Sequence, residues 1–129
     1  MKMQIKGILF DFDGTIANTI DLIIATFEHT CREVLGLTPE REKIVATFGL
    51  PLPEAMIALS GKPELVETMR DAYREYNNAH HDDMIRPIPG VKETLEQLKA
   101  QGIKLAVVTS KKPPMLCRGL DCLQLTQYF

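Results

Sequence analysis

Two short runs of mostly apolar residues mark the predicted strands of this chain. The first run is residues 6–12 (KGILFDF), with Gly14 two residues after its end, and residues 103–108 (IKLAVV) form the second run. Apolar segments of this length, with turn-forming residues after them, are typical of buried strands. We therefore predict one strand near the start of the chain and one in its last third.

Helical spacing of apolar residues fills most of the sequence between the two strands. The first predicted helix is capped by Asn18 or Thr19 and stops at Gly36, because its apolar positions recur every three or four residues. Three more follow: one from Thr38 and Pro39 to about residue 48, one over residues 54–59, and one after Pro63 that fades through residues 77–83. A linker at residues 86–90 (RPIPG), a helix that ends at Gly102 and a last helix after the second strand complete the pattern.

This order of elements predicts the fold class. Helices between mostly apolar strands favour a parallel sheet with covered faces. Four helices are too many for one crossover between neighbouring strands. We therefore predict an α/β core from residues 1–15 and 86–129, with residues 16–85 as an all-helical insert.

Composition and charge narrow the class of protein. The chain has 129 residues, 45% of them hydrophobic, which suits one globular domain or a small core with an insertion. A net charge of -2 and dispersed basic residues argue against nucleic-acid binding, and no apolar run approaches a membrane span. The N-terminus reaches charged residues too early for a signal peptide, so we expect a cytoplasmic protein. The number of cysteines is odd, and no two of them form a CxxC pair: they are Cys31, Cys117 and Cys122. We therefore predict reduced thiols.

Polar residues that could take part in binding or catalysis follow both predicted strands. Asp11, Asp13 and Gly14 come at the end of the first, and Thr109 and Ser110 at the end of the second. Because the carboxyl ends of parallel strands meet at one edge of a sheet, we expect these residues to converge. The two aspartates could instead cap the following turn, and Thr109 could cap a helix. Two close carboxylates repel each other without a cation, however, so we predict a functional site.

The motif FDFDGT behind an apolar strand resembles the first motif of the haloacid dehalogenase superfamily of phosphohydrolases, and VVTS resembles its second. A helical insert directly after the first motif resembles the α-helical type 1 cap of that superfamily. The resemblance extends over the whole chain. It implies a parallel-sheet core with an inserted helical cap.

The resemblance also implies roles for individual residues. Asp11 would be the nucleophile that forms an aspartyl phosphate, and Asp13 would be the general acid and then base. Mg²⁺ would be bound by the Asp11 carboxylate and the Asp13 carbonyl. Substrate would be bound by Gly14, Thr15, Thr109, Ser110 and Lys111. Many relatives have asparagine at the position of Ser110, and the catalytic lysine of the family normally lies beyond the position of Lys111, so we expect an accessory role for Lys111 on the phosphate side.

The substrate is predicted only as a class. The segments YNNAHHD and FGLPLP are similar to the branch that hydrolyses inorganic pyrophosphate, and a small monoester such as phosphoglycolate is the alternative. A phosphosugar mutase of the β-phosphoglucomutase type and a non-catalytic remnant that binds a partner or a phosphate ligand stay open. His80 and His81 resemble metal ligands, but neighbouring helix positions point about 100° apart, so we do not expect them to share one site.

The sequence also departs from the superfamily. The third motif, a lysine, and the fourth, an acidic cluster, have no counterpart before the last residues, LTQYF. This predicts a chain that is truncated at its C-terminus. Losing two charge-stabilising groups would cost about 10⁴ or more in rate, so we expect the chain alone to be nearly inactive.

Overall fold

The structure, a computed structural model, describes residues 2–129 and divides into two compact units. The first unit holds the chain up to Thr19 together with Ile85–Phe129, and the second is Ile20–Met84. The predicted insert began at residue 16, whereas the structural division falls after Thr19. The reason is that Ile16 and Ala17 are buried in the core of the first unit. The assignment of the two units as an α/β core and an inserted cap stays a prediction.

Strands and helices do not alternate regularly along the chain. In chain order they are β1 (Gly7–Phe10), β2 (Ala17–Asn18), α1 (Ile20–Leu35), α2 (Arg41–Val45), α3 (Leu52–Ser60), α4 (Val66–Met84), β3 (Arg86–Pro87), α5 (Val91–Ala100), β4 (Lys104–Val107) and α6 (Pro113–Cys122). Short 3₁₀ turns occupy Pro63–Leu65 and Thr126–Tyr128. None of the helices in the described part of the chain is long and apolar enough to cross a membrane.

The two predicted strands, β1 and β4, pair in parallel. Their register runs from Gly7 opposite Lys104 to Phe10 opposite Val107. Pairing continues past the strands, because the Val108 N–H donates to the Phe10 carbonyl at 2.8 Å. The carboxyl ends of both strands therefore lie at one edge, as predicted.

One face of this pair carries the core of the first unit. Ile8 and Phe10 pack against a buried cluster that includes Phe12, Leu95 of α5, Leu105 of β4 and Leu120 of α6. The opposite face is open: Leu9 is 72% exposed and Val108 60% exposed. The prediction of a sheet covered on both faces is thus wrong for the described residues, because α5 and α6 both pack on the same side.

The segment predicted as a linker is in part a strand. In this segment β3 pairs antiparallel with β2, with Asn18 opposite Arg86. The Ile88 N–H also donates to the Ile16 carbonyl at 2.9 Å. The segment where the chain leaves the first unit therefore lies beside the segment where the chain re-enters it.

The second unit contains helices and the segments that join them, and it has its own core. The predicted all-helical insert of residues 16–85 extends beyond this unit and includes β2. Phe27 of α1, Ile44 of α2, Met56 of α3 and Met69 of α4 are buried together. The Phe27 ring meets the Tyr73 ring edge to face, with 5.0 Å between centroids. The unit therefore has a hydrophobic core separate from that of the sheet.

Several of its helix boundaries differ from the prediction. Helix α2 ends at Val45 instead of about residue 48, and α3 begins at Leu52 instead of residue 54. Helix α2 begins at Arg41 instead of Pro39, because Glu40 is extended and occupies the N-cap. The Thr38 hydroxyl accepts a hydrogen bond from Arg32 Nε at 3.2 Å. Helix α4 does not fade but continues to Met84. His81 is buried within the polar residues 77–83. Its packing favours a helix there, although the composition of the segment does not.

The neighbouring histidines point in different directions, as predicted. His80 is exposed and its ring lies 4.2 Å from that of Tyr76, whereas His81 is buried with Nδ1 2.7 Å from Asp82 Oδ1. Among residues 2–129 no cluster of three or more His, Cys, Asp or Glu side chains could hold a metal.

Candidate active site

Asp11 and Asp13 follow β1 on either side of Phe12. The Phe12 side chain is fully buried, and a Cβ atom built on Gly119 of α6 would lie only 2.7 Å from Phe12 Cζ. Successive side chains of an extended segment point to opposite sides. The buried ring therefore anchors the strand exit and directs both carboxylates away from the core: Asp11 is exposed and Asp13 is half-buried.

A tight turn follows the second aspartate. The N–H groups of Thr15, Ile16 and Ala17 all donate to the Phe12 carbonyl, at 3.2, 2.9 and 3.0 Å. Gly14 adopts φ +79°, a left-handed conformation that glycine reaches without steric cost. Gly14 and Thr15 are consequently exposed at the strand exit.

The Asp11 carboxylate faces solvent next to this turn. Its Oδ1 accepts the Phe12 N–H at 2.7 Å. This local bond agrees with the alternative in which Asp11 caps a turn, but it engages one carboxylate oxygen only. Oδ2 can still take another partner.

The Asp13 carboxylate is bound by two side chains from other elements. Its Oδ1 accepts a hydrogen bond from Thr19 Oγ1 at 3.1 Å and lies 3.2 Å from Lys111 Nζ. The ammonium of Lys111 also lies 5.3 Å from the centre of the Phe12 ring, a cation–π distance. Asp13 therefore has both a fixed orientation and a neighbouring positive charge.

Thr19 is a site residue that the sequence did not reveal. We predicted Thr19 only as a possible helix cap, yet it is 3% exposed and its hydroxyl holds Asp13. The contact depends on the turn between residues 13 and 17 folding back on Phe12. No local sequence signal identifies such a contact.

The loop after β4 supplies the second half of the site. The Lys111 N–H donates to Thr109 Oγ1 at 3.1 Å, so this hydroxyl accepts one bond and keeps its proton to donate to a ligand. Thr109 is half-buried and Ser110 is exposed. The structure thus brings Lys111 to Asp13, while Ser110 lies at the surface of the same loop.

The donor set at the strand exit fits a hard divalent cation. The Asp11 carboxylate and the Asp13 carbonyl are oxygen donors, the type that Mg²⁺ prefers. The Lys111 ammonium lies against the Asp13 side chain, and within residues 2–129 the Asp11 carboxylate takes part in no ion pair. Two protein donors leave further positions of an octahedron to water and substrate oxygens.

Comparison with known proteins identifies the family. Residues 8–129 match the model of the haloacid dehalogenase-like hydrolase family. The chain belongs to this family. The resemblance seen in FDFDGT and VVTS is therefore confirmed, and so is the fold class, an incomplete haloacid dehalogenase-like α/β core with added helices.

Relatives in this family carry phosphatase names. The chain is 40% identical over 127 residues to pyrophosphatase PpaX of Halalkalibacterium halodurans. It is 42% identical over 126 residues to a Clostridium perfringens protein with the same PpaX designation. Each match covers 98% of this chain and 58% of the relative. The chain therefore spans less than two thirds of the length of these relatives.

A solved structure shows the same fold. The crystal structure of a predicted phosphoglycolate phosphatase from Haemophilus somnus 129PT superimposes with a TM-score of 0.87 at 25% identity. The match covers 98% of this chain and 61% of that one. Because the match covers nearly the whole chain, each of the two units has a counterpart in that structure.

Proposed function

We propose that Asp11 and Asp13 are the reacting carboxylates of a phosphohydrolase that acts on pyrophosphate or a small phosphate monoester. The single observation that carries this proposal is the arrangement around Phe12. One buried ring presents both carboxylates at the strand exit, with Asp13 fixed by Thr19 and Lys111. Membership of a hydrolase family and the pyrophosphatase name of a relative at 40% identity support the reaction class.

The chemistry runs in two steps. Asp11 Oδ2 attacks the phosphorus of the substrate, the bond from phosphorus to the leaving oxygen breaks, and Asp13 gives its proton to that oxygen. A water then attacks the aspartyl phosphate. Asp13 takes the proton from the water, the acyl–phosphate bond breaks, and orthophosphate leaves with Asp11 restored.

The remaining residues bind and orient the phosphoryl group. The Thr109 hydroxyl keeps a proton to donate, because its oxygen accepts the Lys111 N–H. Gly14 and Thr15 lie exposed at the turn, where their backbone can approach a ligand. When bound by the Asp11 carboxylate and the Asp13 carbonyl, Mg²⁺ would neutralise charge on the phosphoryl oxygens.

A trapping experiment tests the nucleophile without requiring turnover. The full chain is incubated with Mg²⁺ and pyrophosphate, quenched with borohydride and digested. Reduction converts an aspartyl phosphate to homoserine, and we expect this mass change in the peptide that contains Asp11.

Matched variants make the result specific. Asp11→Asn should abolish the signal, whereas Asp21→Asn, at an exposed aspartate of α1, should leave it unchanged. Homoserine at another aspartate, or a signal no greater than that of Asp11→Asn, would contradict the proposal.

A further inference from the structure

Lys111 lies on the side of the site where the leaving group would depart. Its ammonium is 3.2 Å from Asp13 Oδ1. A general acid must come within hydrogen-bond reach of the oxygen that it protonates. If Asp13 protonates the leaving oxygen, the Lys111 ammonium is a close neighbour of the same leaving group.

The Lys111 ammonium pairs with Asp13 but is not buried. Its side chain is 20% exposed and that of Asp13 is 35% exposed, so the ion pair is partly solvated. A partly exposed pair is weak and exchanges partners at low cost. The flexible four-carbon stem of lysine, lying near the Phe12 ring, allows the ammonium to turn from Asp13 to a nearby anion.

We infer that Lys111 is a specificity-determining residue that selects phosphate compounds whose leaving group is itself anionic, such as a second phosphate. The ammonium passes from Asp13 to that leaving group and frees Asp13 Oδ1 for the leaving oxygen. A substrate with a neutral leaving group does not attract the ammonium away from Asp13. The inference rests on the proposed function, because the role of Asp13 defines the leaving-group side.

The next residue provides a matched control. Lys112 has the same charge and is exposed at the start of α6, where its backbone is the N-cap. Any general electrostatic attraction of a highly charged ligand acts on both lysines. Within residues 2–129 the ion pair of Asp13 is with Lys111 and not with Lys112.

Binding of two phosphonates to the full chain tests the inference. Methylenebisphosphonate carries a second anionic group in place of the leaving phosphate, and methylphosphonate lacks it. Dissociation constants are measured by calorimetry with constant Mg²⁺. For Lys111→Met we expect about tenfold weaker binding of the bisphosphonate, as for the loss of one charge-assisted hydrogen bond, and less than about threefold change for methylphosphonate.

Two further variants complete the design. Lys112→Met should change both constants by less than about threefold, and Lys111→Arg should recover most of the bisphosphonate affinity because it keeps the charge. Circular dichroism checks that each variant is folded, and if Lys111→Met is not folded, Lys111→Gln takes its place. Equal losses for both phosphonates, equal effects of Lys111→Met and Lys112→Met, or no binding of the bisphosphonate to the unmodified chain would each overturn the inference.

The two proposals fail separately. The phosphonates cannot transfer a phosphoryl group, so their binding does not depend on Asp11 as nucleophile. A selective loss in Lys111→Met without homoserine at Asp11 would refute the proposed reaction alone. Homoserine at Asp11 without a selective loss would refute the role of Lys111 alone.

Discussion

Replacement of Gly119 by alanine tests the contact that anchors the active-site strand. Gly119 lies inside α6, directly under the Phe12 ring. The added Cβ would lie 2.7 Å from Phe12 Cζ and 3.0 Å from Cε1, whereas ordinary contacts begin at 3.4 Å. The ring must therefore move by at least 0.7 Å or the helix must shift.

Two opposing free energies decide the outcome. Alanine in a helix is more stable than glycine by about 1 kcal/mol. Overpacking a filled core costs about 1–3 kcal/mol. Because Phe12 is 0% exposed and lies in the buried core cluster, we expect the second effect to win, with a net loss of up to about 2 kcal/mol in the free energy of unfolding.

A double-mutant cycle in urea separates these two effects. In a Phe12→Leu background the clashing ring atoms are gone, so Gly119→Ala should stabilise the chain by about 1 kcal/mol. The same substitution thus changes sign between the two backgrounds. Stabilisation by a similar amount in both would refute the reasoning, since it would mean that the ring does not pack on Gly119.

Two further predictions concern titratable groups outside the active site. Burial raises the pKa of the Cys31 thiol, so a disulfide reagent should modify exposed Cys117 first and Cys31 only after unfolding; equal rates in the native chain would contradict this. The hydrogen bond from the Tyr128 hydroxyl to Glu96, at 2.8 Å, raises the pKa of Tyr128 above its usual 10.0. Because the native state then holds this proton more tightly, the associated stability is present below pH 10 and is lost as pH rises through the raised pKa. Glu96→Ala should lower the pKa of Tyr128, as measured by tyrosinate absorbance. An unchanged titration in this variant would refute the prediction.

Residues at strand ends could be predicted because simple rules fix their positions. Asp11 and Lys111 are far apart in sequence, but both follow apolar runs that pair in parallel. The carboxyl ends of such strands share an edge, so the loops after them meet. The same rule requires no knowledge of the side-chain packing.

Features that depend on tertiary packing could not be predicted. The two-residue strand β3 exists only because β2 lies beside it, and a segment with two prolines carries no strand signal. The contact from Thr19 to Asp13 needs the turn that folds residues 15–17 onto the Phe12 carbonyl. Likewise, the burial of His81 extends α4 through residues whose composition favours a loop.

The charges at the strand exit connect these local features with the proposed substrate. Two carboxylates close together repel each other, and in the described chain the Lys111 ammonium compensates Asp13. Asp11, which is exposed, has room for a cation of its own. A ligand with two anionic groups can therefore bring one group toward Asp11 and the other toward Lys111, whereas a ligand with one anionic group leaves the Lys111–Asp13 pair intact. This difference in charge, more than the shape of the exposed turn, is what would let the site distinguish pyrophosphate from a monoester whose leaving group is uncharged.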